Sequence, residues 1–147
     1  MKGPRTVETG PGEVAPGDFV ARPGGMPVVG PAEVAGVDVL VDARAPERYR
    51  GESEPVDPVA GRIPGAVNVP TTDNLRPGGG LRSREELAEI YAAVGAVPGA
   101  DVAAYCGSGV TACLDVLAME LAGVRSALYP GSWSGWISDP DRPVERG

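Results

Sequence analysis

Short β-branched runs alternate with helical patterns along this chain, and that order limits the fold more than any other feature. The first run is VDVLVDAR (Val37–Arg44), bounded by Gly36 and Ala45–Pro46. AVNVP (Ala66–Pro70), DVAAY (Asp101–Tyr105) and SALY (Ser126–Tyr129) follow as further strands. Between them, Ser83-Arg84-Glu85-Glu86 has the form of a capping box, and Leu87, Ile90, Tyr91 and Val94 then mark one apolar helix face. After the third run, Val110, Cys113, Leu114, Leu117 and Leu121 also share a helical stripe, which is expected to face the core until Gly123 stops the helix. PERYRGE and GSWSGW suit short helical turns, and Pro55–Gly65 is too rich in proline and glycine for anything but a long ordered loop. Strand–helix alternation of this kind favours a doubly wound, mostly parallel sheet with helices on both faces, its site beyond the C-terminal strand ends.

Residues 1–36 contain 14 glycines or prolines and read as an extended lead-in, with room for a short strand near Pro27–Val29 and a helical turn at Pro31–Ala35. Residues 37–147 form the expected domain. The net charge of −7, from 20 acidic and 13 basic side chains, repels phosphate backbones and argues against a nucleic-acid partner. No apolar run approaches the roughly 20 residues of a membrane span, so no membrane partner is expected. MKGPRTVETG lacks the apolar stretch of a secretory signal, which makes a cytoplasmic, reducing location the expectation.

The chain has two cysteines and no histidine. A Cys–His pair, a Ser–His–Asp triad and a histidine metal site are therefore outside its means, and no cofactor or metal is expected. Cys106 nevertheless stands where a strand hands over to a helix, followed by Gly107, Ser108, Gly109, Val110 and Thr111. The first amides of a helix have no internal partner, and flanking glycines let successive amides curl into an anion nest. A thiolate in such a nest is stabilised, which permits nucleophilic cysteine chemistry without histidine. The competing reading is a small apolar residue at a tight turn. Cys113 is read as structural: at about 10 Å from Cys106 along an intact helix it is too distant for a disulfide. A Cys-x5-Arg phosphatase loop is disfavoured, because Ala112 occupies the arginine position.

Four segments in order resemble the rhodanese superfamily of sulfurtransferases: VLVDARAPERYRGE, GRIPGAVNVP with Arg62 where histidine is usual, YCGSGVTAC, and YPGSWSGW. The resemblance is to the catalytic C-terminal domain of two-domain thiosulfate or 3-mercaptopyruvate sulfurtransferases. It implies a five-stranded parallel sheet. It also implies that Cys106 takes sulfane sulfur from a small-molecule donor, becomes a persulfide and passes the outer sulfur to a thiophilic acceptor. Gly107, Ser108, Gly109, Val110 and Thr111 would cradle the substrate, Ser108 positioning the donor, and Arg48 would bind the donor's negative end. A second substrate arginine is absent, replaced by Glu54-Pro55-Val56-Asp57. Asp42 and Arg44 are expected to brace the strand end, and Trp133 and Trp136 to pack as a lid. The lead-in resembles an interdomain linker, which implies a second rhodanese-like domain or a second copy as partner. The alternative is a non-enzymatic or partner-dependent sulfur-carrier module.

Overall fold

A computed structural model describes residues 10, 12 and 16–147; the readings made on MKGPRTVET and on residues 11 and 13–15 lie outside the described residues. Four strands form one parallel sheet in the order β2-β1-β3-β4: β1 Val39–Asp42, β2 Val67–Asn68, β3 Val102–Tyr105 and β4 Ser126–Leu128. Val28 adds a one-residue parallel bridge to Leu128, in the place of a fifth strand at the β4 edge. Val29 N–H donates to the Leu128 carbonyl and Leu128 N–H to the Pro27 carbonyl, each at 3.0 Å. Pro27 has no N–H to extend this pairing, and Gly30–Pro31 then turns the chain into helix α1, Pro31–Val34. Val34 is buried, so packing against the sheet begins ahead of residue 37.

Alternation along the strands sorts side chains between two cores. Val41, Val102, Ala104 and Cys106 belong to one, with Leu87 and Tyr91 of α3 (Arg84–Ala92) and Ala112, Val116 and Met119 of α4 (Ala112–Ala122). Leu40, Ala103 and Tyr105 belong to the other, with Val34 of α1 and Trp133 and Trp136 of α5 (Ser132–Ile137). The sheet is covered on both faces, as the alternating pattern requires. Cys106 continues the β3 alternation one step past the strand end.

The local signals read correctly. Ser83 Oγ accepts the Glu86 N–H and Glu86 returns a bond to the Ser83 N–H, closing the capping box of α3. Gly123 ends α4 in the left-handed conformation at φ 86°. PERY forms the turn α2, Pro46–Tyr49.

The face of α4 is a correction. Val110, Leu117 and Leu121 are among the exposed large apolar residues, and Cys113 is exposed as well. The buried positions are Ala112, Asp115, Val116, Ala118 and Met119. Alanines let α4 lie close on the sheet, and a hydrogen-bonded aspartate occupies an inward position that periodicity alone gives to an apolar side chain.

Candidate active site

A cleft of about 290 Å³ opens off the C-terminal ends of β1, β2 and β3. Ala43, Arg44 and Arg48 line it after β1, Pro70, Thr71 and Thr72 after β2, and Cys106, Gly107 and Thr111 after β3. This is the edge of a parallel sheet where ligands bind, and the volume suits a small molecule. Cys106 is only 3% accessible, yet it faces the cleft.

The loop after Cys106 is held from outside by its carbonyls. The Cys106 carbonyl accepts from Trp133 N–H at 3.0 Å, and the Gly107 carbonyl from Ser134 N–H at 3.0 Å and Ser134 Oγ at 2.9 Å. The Gly109 carbonyl accepts from Cys113 Sγ at 3.3 Å. In a trans peptide the C=O and the following N–H point in opposite directions. The amides of Gly107, Ser108 and Val110 are thus turned away from these anchors. None of the amides of residues 107–112 donates to an acceptor among the described residues. Six consecutive amides after Cys106 thus lack a protein acceptor, the donor pattern from which an anion nest is built. Gly109 is tied to this shape: its φ is +80°, and a Cβ there would stand 2.4 Å from the Pro130 carbonyl oxygen.

Two arginines border the cleft, both engaged by carboxylates. Arg44 is buried and bonds Asp42 through Nη2 at 2.6 Å and Nε at 3.0 Å, and the Gly61 carbonyl through Nη2 at 2.7 Å. Its guanidinium lies 4.7 Å from the Trp133 ring centre. Burial opposes its charge, but the Asp42 contacts outweigh that and raise its pKa. Tyr105 Oη donates to Asp42 at 2.6 Å and accepts from Ile63 N–H at 3.2 Å. Burial beside Asp42 pushes this phenol well above its ordinary value. Asp42 and Arg44 do brace the strand end, as the sequence led us to expect.

Arg48 presents a fork to Glu54, with Nη2–Oε1 at 2.5 Å and Nε–Oε2 at 3.1 Å, and a longer contact from Nη2 to Asp57 at 3.5 Å. Burial raises the Glu54 pKa, but the Arg48 bonds and the Asp57 and Val56 amides more than offset it, so the carboxyl sits below its usual range. Nη1 of Arg48 has no acceptor among the described residues and faces Gly107, 3.5 Å from where a Cβ would project. The stretch that lacks a second arginine therefore supplies the carboxylates that orient the first.

Beneath the cleft, Thr71 Oγ1 meets Asp115 Oδ2 at 2.5 Å, and Asn74 Nδ2 donates to Asp115 Oδ1 at 3.0 Å. Tyr91 Oη completes the group by donating to Asn74 Oδ1 at 3.0 Å. Burial raises the Asp115 pKa to about 7, against the lowering effect of these bonds.

A family model described as "Rhodanese-like domain" matches residues 31–139, from α1 to just beyond α5. The chain belongs to the rhodanese-like domain family. A putative thiosulfate sulfurtransferase of Mycobacterium tuberculosis, SseB, is 50% identical over 113 residues, 77% of this chain and 40% of that protein. A probable 3-mercaptopyruvate sulfurtransferase of Pseudomonas aeruginosa is 44% identical over 149 residues, 96% of this chain and 52% of that protein. The chain thus spans about half or less of the length of these relatives. Among solved structures, wild-type EanB superposes with a TM-score of 0.75 at 27% identity, covering 82% of this chain and 31% of that one. EanB has also been captured with a cysteine persulfide and ergothioneine.

Of the rhodanese-like residues expected at the site, Cys106, Gly107, Thr111 and Arg48 meet in the cleft. The Gly109 and Val110 amides belong to the run without protein acceptors, but the Val110 side chain is 73% exposed. Ser108 is exposed, outside the cleft lining, and its hydroxyl bonds no described residue. Arg62, at the usual histidine position, faces elsewhere: it pairs with Glu145, donates to the Gly147 carbonyl at 2.6 Å and stacks 4.5 Å from the Tyr49 ring centre. Trp133 and Trp136 are buried packing residues, each donating its indole N–H to a loop carbonyl. Sequence reasoning missed Thr71, Asp115, Ser132 and Ser134, whose partners lie tens of residues away along the chain. No helix among the described residues is long and apolar enough to cross a membrane.

Proposed function

We propose that this chain is the catalytic rhodanese-like domain of a thiosulfate or 3-mercaptopyruvate sulfurtransferase, with Cys106 as the sulfur-carrying nucleophile. The observation that carries the reading is the run of six amides without protein acceptors that follows Cys106 at the edge of the cleft. The Cys106 thiolate attacks the donor's sulfane sulfur and forms an S–S bond. With thiosulfate, the older S–S bond breaks and its electron pair leaves with sulfite. With 3-mercaptopyruvate, the C–S bond breaks and the electron pair leaves on the pyruvate enolate, which takes up a proton. A thiophilic acceptor then attacks the outer sulfur, and the Cys106 thiolate is the leaving group. The nest amides stabilise charge on the bound sulfur. Arg48 meets the donor's anionic end through Nη1, Gly107 and Thr111 line the cleft beside Cys106, and Ser108, Gly109 and Val110 contribute backbone amides.

Incubation with each donor, followed by intact-mass measurement and cyanolysis, tests this. The protein should gain the mass of one sulfur atom and release thiocyanate with cyanide, whereas Cys106→Ser should do neither while remaining folded. Transfer by the serine variant at the parent rate rejects the assignment.

A second reading, a partner-dependent sulfur carrier, draws support from the acidic setting of both arginines. Asp42, Glu54 and Asp57 outnumber Arg44 and Arg48 around the cleft. Persulfide loading with negligible turnover of either small donor would favour it. We further infer pairing with a second rhodanese-like domain or a second copy, which sedimentation of the protein across a concentration series tests. Two free thiols suit a cytoplasmic, reducing location.

A further inference from the structure

Ser132 is the only non-glycine among the described residues with a positive φ, at 51°. It is wholly buried at the start of α5, across from the cysteine loop. Its hydroxyl has one hydrogen and two neighbours. It donates to the Tyr129 carbonyl at 3.0 Å and accepts the Cys106 N–H at 3.1 Å. A carbonyl cannot donate, so the single hydrogen is committed to Tyr129 and a lone pair is left for Cys106. The next residue, Trp133, donates its N–H to the Cys106 carbonyl at 3.0 Å. The peptide groups on both sides of Cys106 are therefore fixed by two consecutive residues of α5. Side chains are unfavourable in the left-handed region, and glycine would fit this backbone with less strain. A buried residue kept in that conformation, with its only polar group on the cysteine amide, is strain held at a functional position.

We propose that Ser132 is a positioning residue for sulfur transfer: its left-handed backbone aims a hydroxyl that fixes the Cys106 amide and thereby the direction of the sulfur and of the loop amides after it. The inference rests on the reading of Cys106 as the sulfur carrier.

Ser132→Gly separates the two roles of the residue, because it relieves the backbone strain and deletes the acceptor. The variant should stay folded, because the strain it relieves offsets the hydrogen bonds it loses. Its single-turnover loading of Cys106 from thiosulfate should nevertheless fall about tenfold or more, with a much smaller change in donor KM. Loading at the parent rate in a folded Ser132→Gly protein overturns the proposal. Amide hydrogen exchange in the unmodified protein gives a second readout that does not depend on any variant folding. The Cys106 amide should be protected and those of residues 107–111 should exchange fast; equal exchange across all six overturns the proposal. If the unmodified protein takes no sulfur onto Cys106 from thiosulfate or 3-mercaptopyruvate, the underlying reading fails, and the proposal with it. Normal loading in both proteins rejects only the role of Ser132.

Discussion

Thr71 and Asp115 lie 2.5 Å apart, oxygen to oxygen, across the boundary between the cleft wall and helix α4. Thr71 Oγ1 is also 3.2 Å from the Ala43 carbonyl, which can only accept. A protonated Asp115 donates to Thr71, freeing the threonine hydrogen for Ala43, so the arrangement is fully satisfied by the acid form.

That fixes the sign of a pH effect. Burial raises the Asp115 pKa to about 7, whereas an unfolded aspartate titrates at about 3.9. Between those values the folded chain holds a proton that the unfolded chain has released. The contribution to stability is therefore complete below about pH 4 and lost as pH rises through about 7. Asp115→Asn mimics the acid form and should raise Tm more at pH 8 than at pH 5. An identical shift at both pH values in thermal melts refutes the assignment.

Removing Arg44 should be costly. Arg44→Ala strands Asp42 in a site where both side chains are almost completely inaccessible. Losing one member of a buried, hydrogen-bonded pair costs about 3–5 kcal/mol. Urea denaturation should show that loss, and a change below about 1 kcal/mol would mean the pair contributes only what a surface pair does.

Arg48 offers a different test, because its fork to Glu54 depends on planar geometry. Arg48→Ala should raise donor KM about tenfold or more with a smaller effect on kcat. Arg48→Lys should rescue little, since an ammonium cannot hold Glu54 through two parallel bonds while also facing Gly107. Steady-state kinetics with thiosulfate and 3-mercaptopyruvate would check this. Parent-like KM in the lysine variant would mean that positive charge alone is enough.

Gly109 and Gly65 form a matched pair. Both have left-handed φ, +80° and +77°, but a Cβ at Gly65 meets nothing within 4 Å, whereas one at Gly109 collides with Pro130. Gly65→Ala should cost about 1–2 kcal/mol from backbone strain. Gly109→Ala should cost clearly more and should also slow persulfide formation. Equal losses in a side-by-side denaturant titration would exclude the steric contribution.

The features legible in the sequence were those whose partners are close along the chain. The Ser83–Glu86 box spans three residues, the Gly123 stop is local, and the Cys106 loop is marked by its own glycines. Asp42 and Arg44, two residues apart, also read correctly as a brace. The outward face of α4 was missed because Val110, Leu117 and Leu121 satisfy helical periodicity whichever way the helix turns. Its rotation is tied to Asp115, whose partners Thr71 and Asn74 lie 44 and 41 residues away. Ser132 was equally invisible, since its meaning lies in a left-handed backbone and an amide 26 residues upstream.

All strands of the sheet run the same way, so every segment that shapes the cleft leaves a strand, and the segments that enter strands gather at the other pole. Around residues 97–100 and 123–125 no residue lines the cleft, and side chains added at Gly99 or Gly123 would project into open space. An insertion or tether at that blunt end would leave the lining of the cleft as it is.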